Sequence, residues 1–127
     1  MKHLVTTKKY AHWLAEEVKA EIYKESEYSP DKIKEATTIV LMSGIYAANT
    51  PITKLLSKHW DDFAAKKVIV VAVGASPVDD KVRTDIYEKI SKNTRKNIKY
   101  YNLRGKFFGV NKDEVKPGNL KEIVREI

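Results

Sequence analysis

Two short runs of β-branched and apolar residues constrain this chain more than any other feature. Residues 37–42 read TTIVLM and residues 68–73 read VIVVAV. Both runs place apolar side chains on both alternating faces, the pattern of a strand covered on each side within a parallel sheet. The first run leaves through Ser43-Gly44 into a loop that ends at Pro51, and the second closes with Gly74-Ala75-Ser76-Pro77. A helical pattern follows each. Ile52, Leu55, Leu56 and Phe63 recur at helical spacing after the first, with Pro51 suited to the first turn. Val82, Ile86 and Ile90 form the stripe after the second, opened by a Ser76-to-Asp79 capping box. Strand, loop and helix twice in succession predict parallel strands joined by right-handed crossovers. Ligands in such sheets lie beyond the carboxyl ends of the strands, which places a candidate site at residues 43–50.

The remaining segments extend this unit in both directions. Residues 1–5 (MKHLV) are expected to form a short strand. Thr6 and Thr7 are N-cap candidates for a helix over residues 8–23, with Ala11, Leu14, Ala15, Val18 and Ile22 on its apolar face. Residues 21–28 would supply a short polar edge strand, and Ser29-Pro30-Asp31 opens a helical turn capped by Ser29. The helix after the second run is expected to continue until Asn97. Residues 98–103 then form a fifth strand, ended by Arg104-Gly105. Residues 106–118 are loop-like. Asn119 is expected to cap a last short helix whose Leu120, Ile123, Val124 and Ile127 face inward. The predicted fold is α/β: a three-layer, doubly wound, five-stranded parallel sheet in the order 2-1-3-4-5, forming a single domain over residues 1–127.

Composition narrows the chemistry. The chain has no cysteine, which removes thiolate nucleophiles, thiolate metal sites and disulfides. Its apolar runs fall short of the ~20 residues that span a bilayer, and no secretory signal opens it, so a cytoplasmic location is expected. The formal net charge is +7, from 24 Lys and Arg against 17 acids. These are interleaved, with the densest basic stretch at residues 92–99, so no nucleic-acid partner is expected. The central strand ends Leu41-Met42-Ser43-Gly44, without the aspartate of a phosphoacceptor domain. No P-loop, GxGxxG fingerprint or G-x-S-x-G elbow is present. His3, His12 and His59 have no paired spacing that would suit a metal.

Three groups of residues remain at the expected carboxyl edge: Thr6 and Thr7; Gly44, Tyr46, Ala47 and Ala48; and Gly74, Ala75 and Ser76. Threonines at a helix start suit an anion, though capping alone also accounts for them. Small residues let backbone approach a flat ring, and Tyr46 has the shape either to stack on that ring or simply to pack.

The segments TTKKYAHWLAEEV, TIVLMSGIYAANTPI, KKVIVVAVGASP and IKYYNLRGKF together resemble the flavodoxin-like family. The likeness is to single-domain proteins of the small bacterial flavodoxin-domain group, which is also similar to menaquinone-dependent protoporphyrinogen oxidase. It spans about residues 1–105. The resemblance implies FMN, with Thr6 and Thr7 at the phosphate. Ser43, Gly44, Ile45, Tyr46, Ala47, Ala48 and Asn49 would flank one side of the ring, and Val73, Gly74, Ala75 and Ser76 would line the other. It further implies electron transfer or flavin-dependent redox chemistry, as an electron carrier or an FMN-dependent oxidoreductase. The partner would be a redox protein or a small-molecule acceptor, and no side chain need act as acid or base. Two features depart from the family pattern. The first loop is shorter than usual, which allows the alternative of a flavodoxin fold with weak or lost FMN binding that acts as a non-catalytic binding module. The basic charge also differs from that of the usually acidic electron-transfer flavodoxins.

Overall fold

In the computed structural model the described residues are 8–23, 27, 29–44, 51–74, 88, 90–104 and 117–127. In chain order they form α1 (Lys8–Val18), α2 (Pro30–Ile33), β1 (Thr38–Gly44), α3 (Pro51–Phe63), β2 (Lys67–Gly74), α4 (Lys92–Arg95), β3 (Ile98–Arg104), a 3-10 turn (Pro117–Leu120) and α5 (Lys121–Glu126). Among the described residues the sheet has three strands in the order β1-β2-β3, and both pairings are parallel. The two apolar runs are therefore neighbours, with Ile39 opposite Val68 and Met42 opposite Val71.

Side-chain alternation explains why both runs had to be apolar throughout. Ile39 and Leu41 of β1, with Val68 and Val70 of β2, face one layer and pack against Ile52, Leu55, Leu56 and Phe63 of α3. Val40, Met42, Ile69, Val71 and Val73 face the other layer, where Tyr10, Ala11 and Leu14 of α1 and Leu120 and Ile123 of the carboxyl-terminal segment cover them. A strand enclosed between two helical layers has no solvent face on which a polar residue could sit. Burying each such side chain contributes about 1.5–3 kcal/mol relative to exposure, so these two clusters dominate the stability.

Several expected boundaries shift, each for a local reason. α1 ends at Val18 and not at Tyr23, because Lys19 takes a positive φ of 54°. The Ala20 amide then reaches back to the Ala15 carbonyl at 3.0 Å, the 6→1 bond of a Schellman ending. Ile22 consequently lies beyond the helix. Residues 21–23 and 27, the described part of the expected edge strand, are not strand. The expected first strand, residues 1–5, lies outside the described residues, as do Val82 and Ile86. Ser29 stands at the N-cap of α2 with extended backbone, but its side chain makes no capping bond; its carbonyl accepts from the Lys32 amide at 3.1 Å.

The helix expected to run on to Asn97 is interrupted at Ile90, and α4 starts afresh with Ser91 as its cap. The Ser91 hydroxyl accepts from the Thr94 amide at 3.3 Å. α5 has Leu120 at its N-cap, and Asn119 instead donates its amide to the Tyr10 hydroxyl at 2.9 Å. Leu120 and Ile123 are buried as expected, whereas Ile127 is exposed. Burial, with Glu126 and Glu122 nearby, pushes the Tyr101 hydroxyl above its ordinary value.

Candidate functional site

The parallel register fixes which residues meet at the carboxyl edge of the sheet. Ser43 pairs with Ala72, Gly44 with Val73, and Gly74 with Arg104. Gly44 and Gly74 are the last residues of adjacent strands, so two consecutive strands meet the edge without a side chain on their final residue. Ser43 and Gly44 were expected to begin a loop beyond the strand. They instead remain in the ladder, because β2 continues beside them to Gly74.

The candidate residues that are described differ in their surroundings. Ser43 is 2% exposed, on the α3 side of β1, and its hydroxyl lies 3.4 Å from the Gly44 carbonyl oxygen, to which it donates. Val73 is buried in the cluster beneath α1, which makes its side chain part of the core. Gly74 is half-buried and is the more open of the two glycines. Thr6, Thr7, Ile45, Tyr46, Ala47, Ala48, Asn49, Ala75 and Ser76 lie outside the described residues. Their neighbours in sequence are placed: α1 begins at Lys8, directly after Thr7, and α3 begins at Pro51, two residues after Asn49.

Both flanking helices start at this edge. α3 connects the end of β1 to the beginning of β2, so it runs antiparallel to them. Tyr10, in the first turn of α1, bonds to Asn119 in the turn that follows β3. Val18, at the other end of α1, lines a cavity of about 470 Å³ with Thr37, Thr38 and Ile127 at the amino edge. The two helices cover opposite faces of the sheet, so their amino termini bracket the end of β1 from either side.

One polar residue near this edge escapes a reading by motif. Asn102 stands beside Ala72, and thus in one cross-strand row with Ser43. Its Oδ1 is buried and accepts no hydrogen bond among the described residues. An unpaired buried amide oxygen is uncommon and costs roughly 1–3 kcal/mol. The available signal was compositional: asparagine is depleted in strands, and Asn102 sits within the apolar and aromatic run IKYYNL.

A second cavity, of about 380 Å³, lies between α1 and α5 and is lined by Trp13, Glu17, Leu120, Val124 and Arg125. Among the described residues no group of three or more His, Asp or Glu side chains is placed to hold a metal ion. Nor is any described helix long and apolar enough to cross a membrane.

Comparison with known proteins places this architecture. The family model for the flavodoxin domain matches residues 6–115. No curated protein matches the chain. Among solved structures, the flavodoxin WrbA-like protein from Agrobacterium tumefaciens superposes with a TM-score of 0.64 at 13% identity, over 98% of this chain and 95% of that one. The flavodoxin of Streptococcus pneumoniae TIGR4 gives 0.62 at 11% identity, over 98% and 93%. The two-electron reduced flavodoxin of Megasphaera elsdenii gives 0.60 at 12% identity, over 100% of both chains. At these identities the likeness is one of fold: α/β and flavodoxin-like, built on a parallel sheet.

Proposed function

The chain belongs to the flavodoxin domain family, and on that footing we propose that it binds FMN at the carboxyl edge of its sheet and serves in electron transfer or flavin-dependent redox chemistry. The observation that carries this reading is the pair of glycine-ended parallel strands, Gly44 beside Val73 and Gly74 beside Arg104, bracketed by the starts of α1 and α3. Where two adjacent strands finish on glycine, no Cβ stands in the way of a flat ring approaching the backbone. The residues present therefore fit such a group. When bound, FMN would supply the redox chemistry, and the protein's part would be to hold and orient it.

In this reading Ser43, Gly44, Ile45, Tyr46, Ala47, Ala48 and Asn49 hold one side of the ring, and Val73, Gly74, Ala75 and Ser76 the other. For Ser43 and Val73 the contribution is through backbone, since their side chains are buried in the sheet layers. Thr6 and Thr7, immediately before α1, hold the phosphate, where helix-terminal amides favour an anion. The whole chain forms one domain in which β1, β2 and β3 are continued by residues 1–5, paired along the edge of β1 that faces away from β2; the edge strand expected over residues 21–28 is left out of this reading, since residues 21–23 and 27 are not strand.

Titration of the apo-protein with FMN, read as quenching of flavin fluorescence, tests the proposal. Saturable quenching with a dissociation constant on the order of micromolar is expected, weaker than a longer phosphate loop would give, because each charge-assisted hydrogen bond missing from that loop costs roughly 1.5–3 kcal/mol. Absence of quenching would leave the flavodoxin fold as a non-catalytic binding module.

A further inference from the structure

The cavity of about 380 Å³ between α1 and α5 joins an apolar wall to charged lips. Trp13 and Glu17 stand four residues apart on α1, and Lys121 and Arg125 four apart on α5, so each pair shares a helix face. Leu120 is buried, and Trp13 and Val124 are half-buried against the same cluster, which makes the wall continuous with the core. Glu17, Lys121 and Arg125 are exposed. A volume of this size falls within the roughly 300–1,000 Å³ of small-ligand sites.

The wall is braced from inside. Tyr10 is 2% exposed and meets the Trp13 ring edge-on at 5.8 Å and 77°, while its hydroxyl accepts from the Asn119 amide at 2.9 Å. These contacts tie α1 to the turn before α5. Gly118, next to Asn119, also lines the cavity. A Cβ on Gly118 would meet no atom within 4 Å, and its φ lies outside the left-handed region. Neither packing nor backbone demands glycine there, and its effect is to keep bulk off the lining. The charged lips do not close over the hollow either: Glu17 faces two bases, yet among the described residues no ion pair joins it to Lys121 or Arg125. Lys121 opens α5, where the helix dipole disfavours a base, and its spacing to Arg125 sets like charges together. An anion between the two bases would offset both costs.

We propose that this cavity binds a small aromatic carboxylate, its ring against Trp13, Leu120 and Val124 and its carboxylate between Lys121 and Arg125. The apolar wall selects a hydrophobic body, and Trp13 favours an aromatic one, since ring pairs gain beyond the area they bury. The two bases select a negative charge, which a guanidinium can take through paired N–H donors. Glu17 sets the orientation by repelling the carboxylate from the α1 side. None of the residues assigned to FMN lines the cavity, so the proposal does not rest on that reading.

The test exploits the two tryptophans of the chain: Trp60→Phe leaves Trp13 as the sole reporter. The full chain with that change is titrated with 3-phenylpropionate, which does not absorb where tryptophan is selectively excited. A saturable change in Trp13 emission is expected, with a dissociation constant on the order of 0.1–1 mM for so small a ligand. Lys121→Gln with Arg125→Gln should weaken binding about tenfold at low salt and less at physiological ionic strength, whereas Lys92→Gln with Lys96→Gln, exposed and away from the cavity, should change it less than about twofold. The neutral 3-phenylpropanol should bind the unaltered and Lys121/Arg125 proteins alike. Gly118→Leu should weaken both ligands about tenfold with the urea midpoint unmoved. Should Trp60→Phe fail to fold, amide shifts of Trp13 and Gly118 in the labelled, otherwise unaltered chain carry the same reading. No saturable response, equal losses from the two charge pairs, tighter binding of hexanoate than of 3-phenylpropionate, or displacement of the probe by FMN would each overturn the proposal.

Discussion

Lys19 is a lysine in a backbone conformation that usually selects glycine. Its φ of 54° ends α1 and turns the chain toward α2, at a steric cost that a Cβ imposes and glycine avoids. Lys19→Gly should raise stability by about 0.5–1 kcal/mol, the relief of that strain being partly offset by the greater freedom of glycine in the unfolded chain. Urea denaturation checks it, and an unchanged or lowered midpoint would speak against a strained helix ending. Nothing at this position announced itself in the sequence. Ile22 continues the apolar spacing of the helix, so periodicity carried the expected helix past the true end. Asn119 misled in a similar way. Its spacing to Glu122 suggested a cap, yet its amide is engaged by Tyr10, far away in the chain, and local spacing carries no information about such a partner.

At the scale of elements, the strands were legible because burial on both faces leaves little choice of residue: Val68, Ile69, Val70 and Val71 have no side facing water. Their ends were less legible. Ser43 and Gly44 look like loop residues, but whether they stay in the ladder depends on how far β2 runs beside them. α3 was read with its observed bounds, since proline at its start and the stripe through Leu55, Leu56 and Phe63 agree. The break before α4 was missed because Ile90 fits the helical stripe, while the capping of Thr94 by Ser91 is a competing local signal. Leu56 is 2% exposed between α3 and β1. Leu56→Ala should therefore cost about 2–5 kcal/mol, the range for a large-to-small change in a packed core. The equivalent change at Lys58, exposed two residues later, should stay within about 0.5 kcal/mol. Equal shifts in the two denaturation midpoints would contradict the assignment of the faces of α3.

For the whole molecule, the three described strands fall in the relative order expected from the chain, whereas the edge strand expected over residues 21–28 is not strand at residues 21–23 and 27. Of the expected site residues the structure describes Ser43, Gly44, Val73 and Gly74, and the fold brings the ends of β1 and β2 together; the remaining members of the three expected groups lie outside the described residues. What sequence could not supply was the common edge at which α1 and α3 start, which depends on how each helix lies against the sheet. Nor did any motif single out Asn102, whose position beside Ala72 depends on pairing. The central claim is that FMN is held at the carboxyl edge, and the most direct measurement maps amide chemical shifts on isotope-labelled protein as FMN is added. The account expects the largest shifts at Gly44 and Gly74 and in the residues that follow each, with Gly118 and Lys121, beside the cavity between α1 and α5, unmoved. Shifts concentrated at Gly118 and Lys121, with Gly44 and Gly74 unchanged, would contradict it.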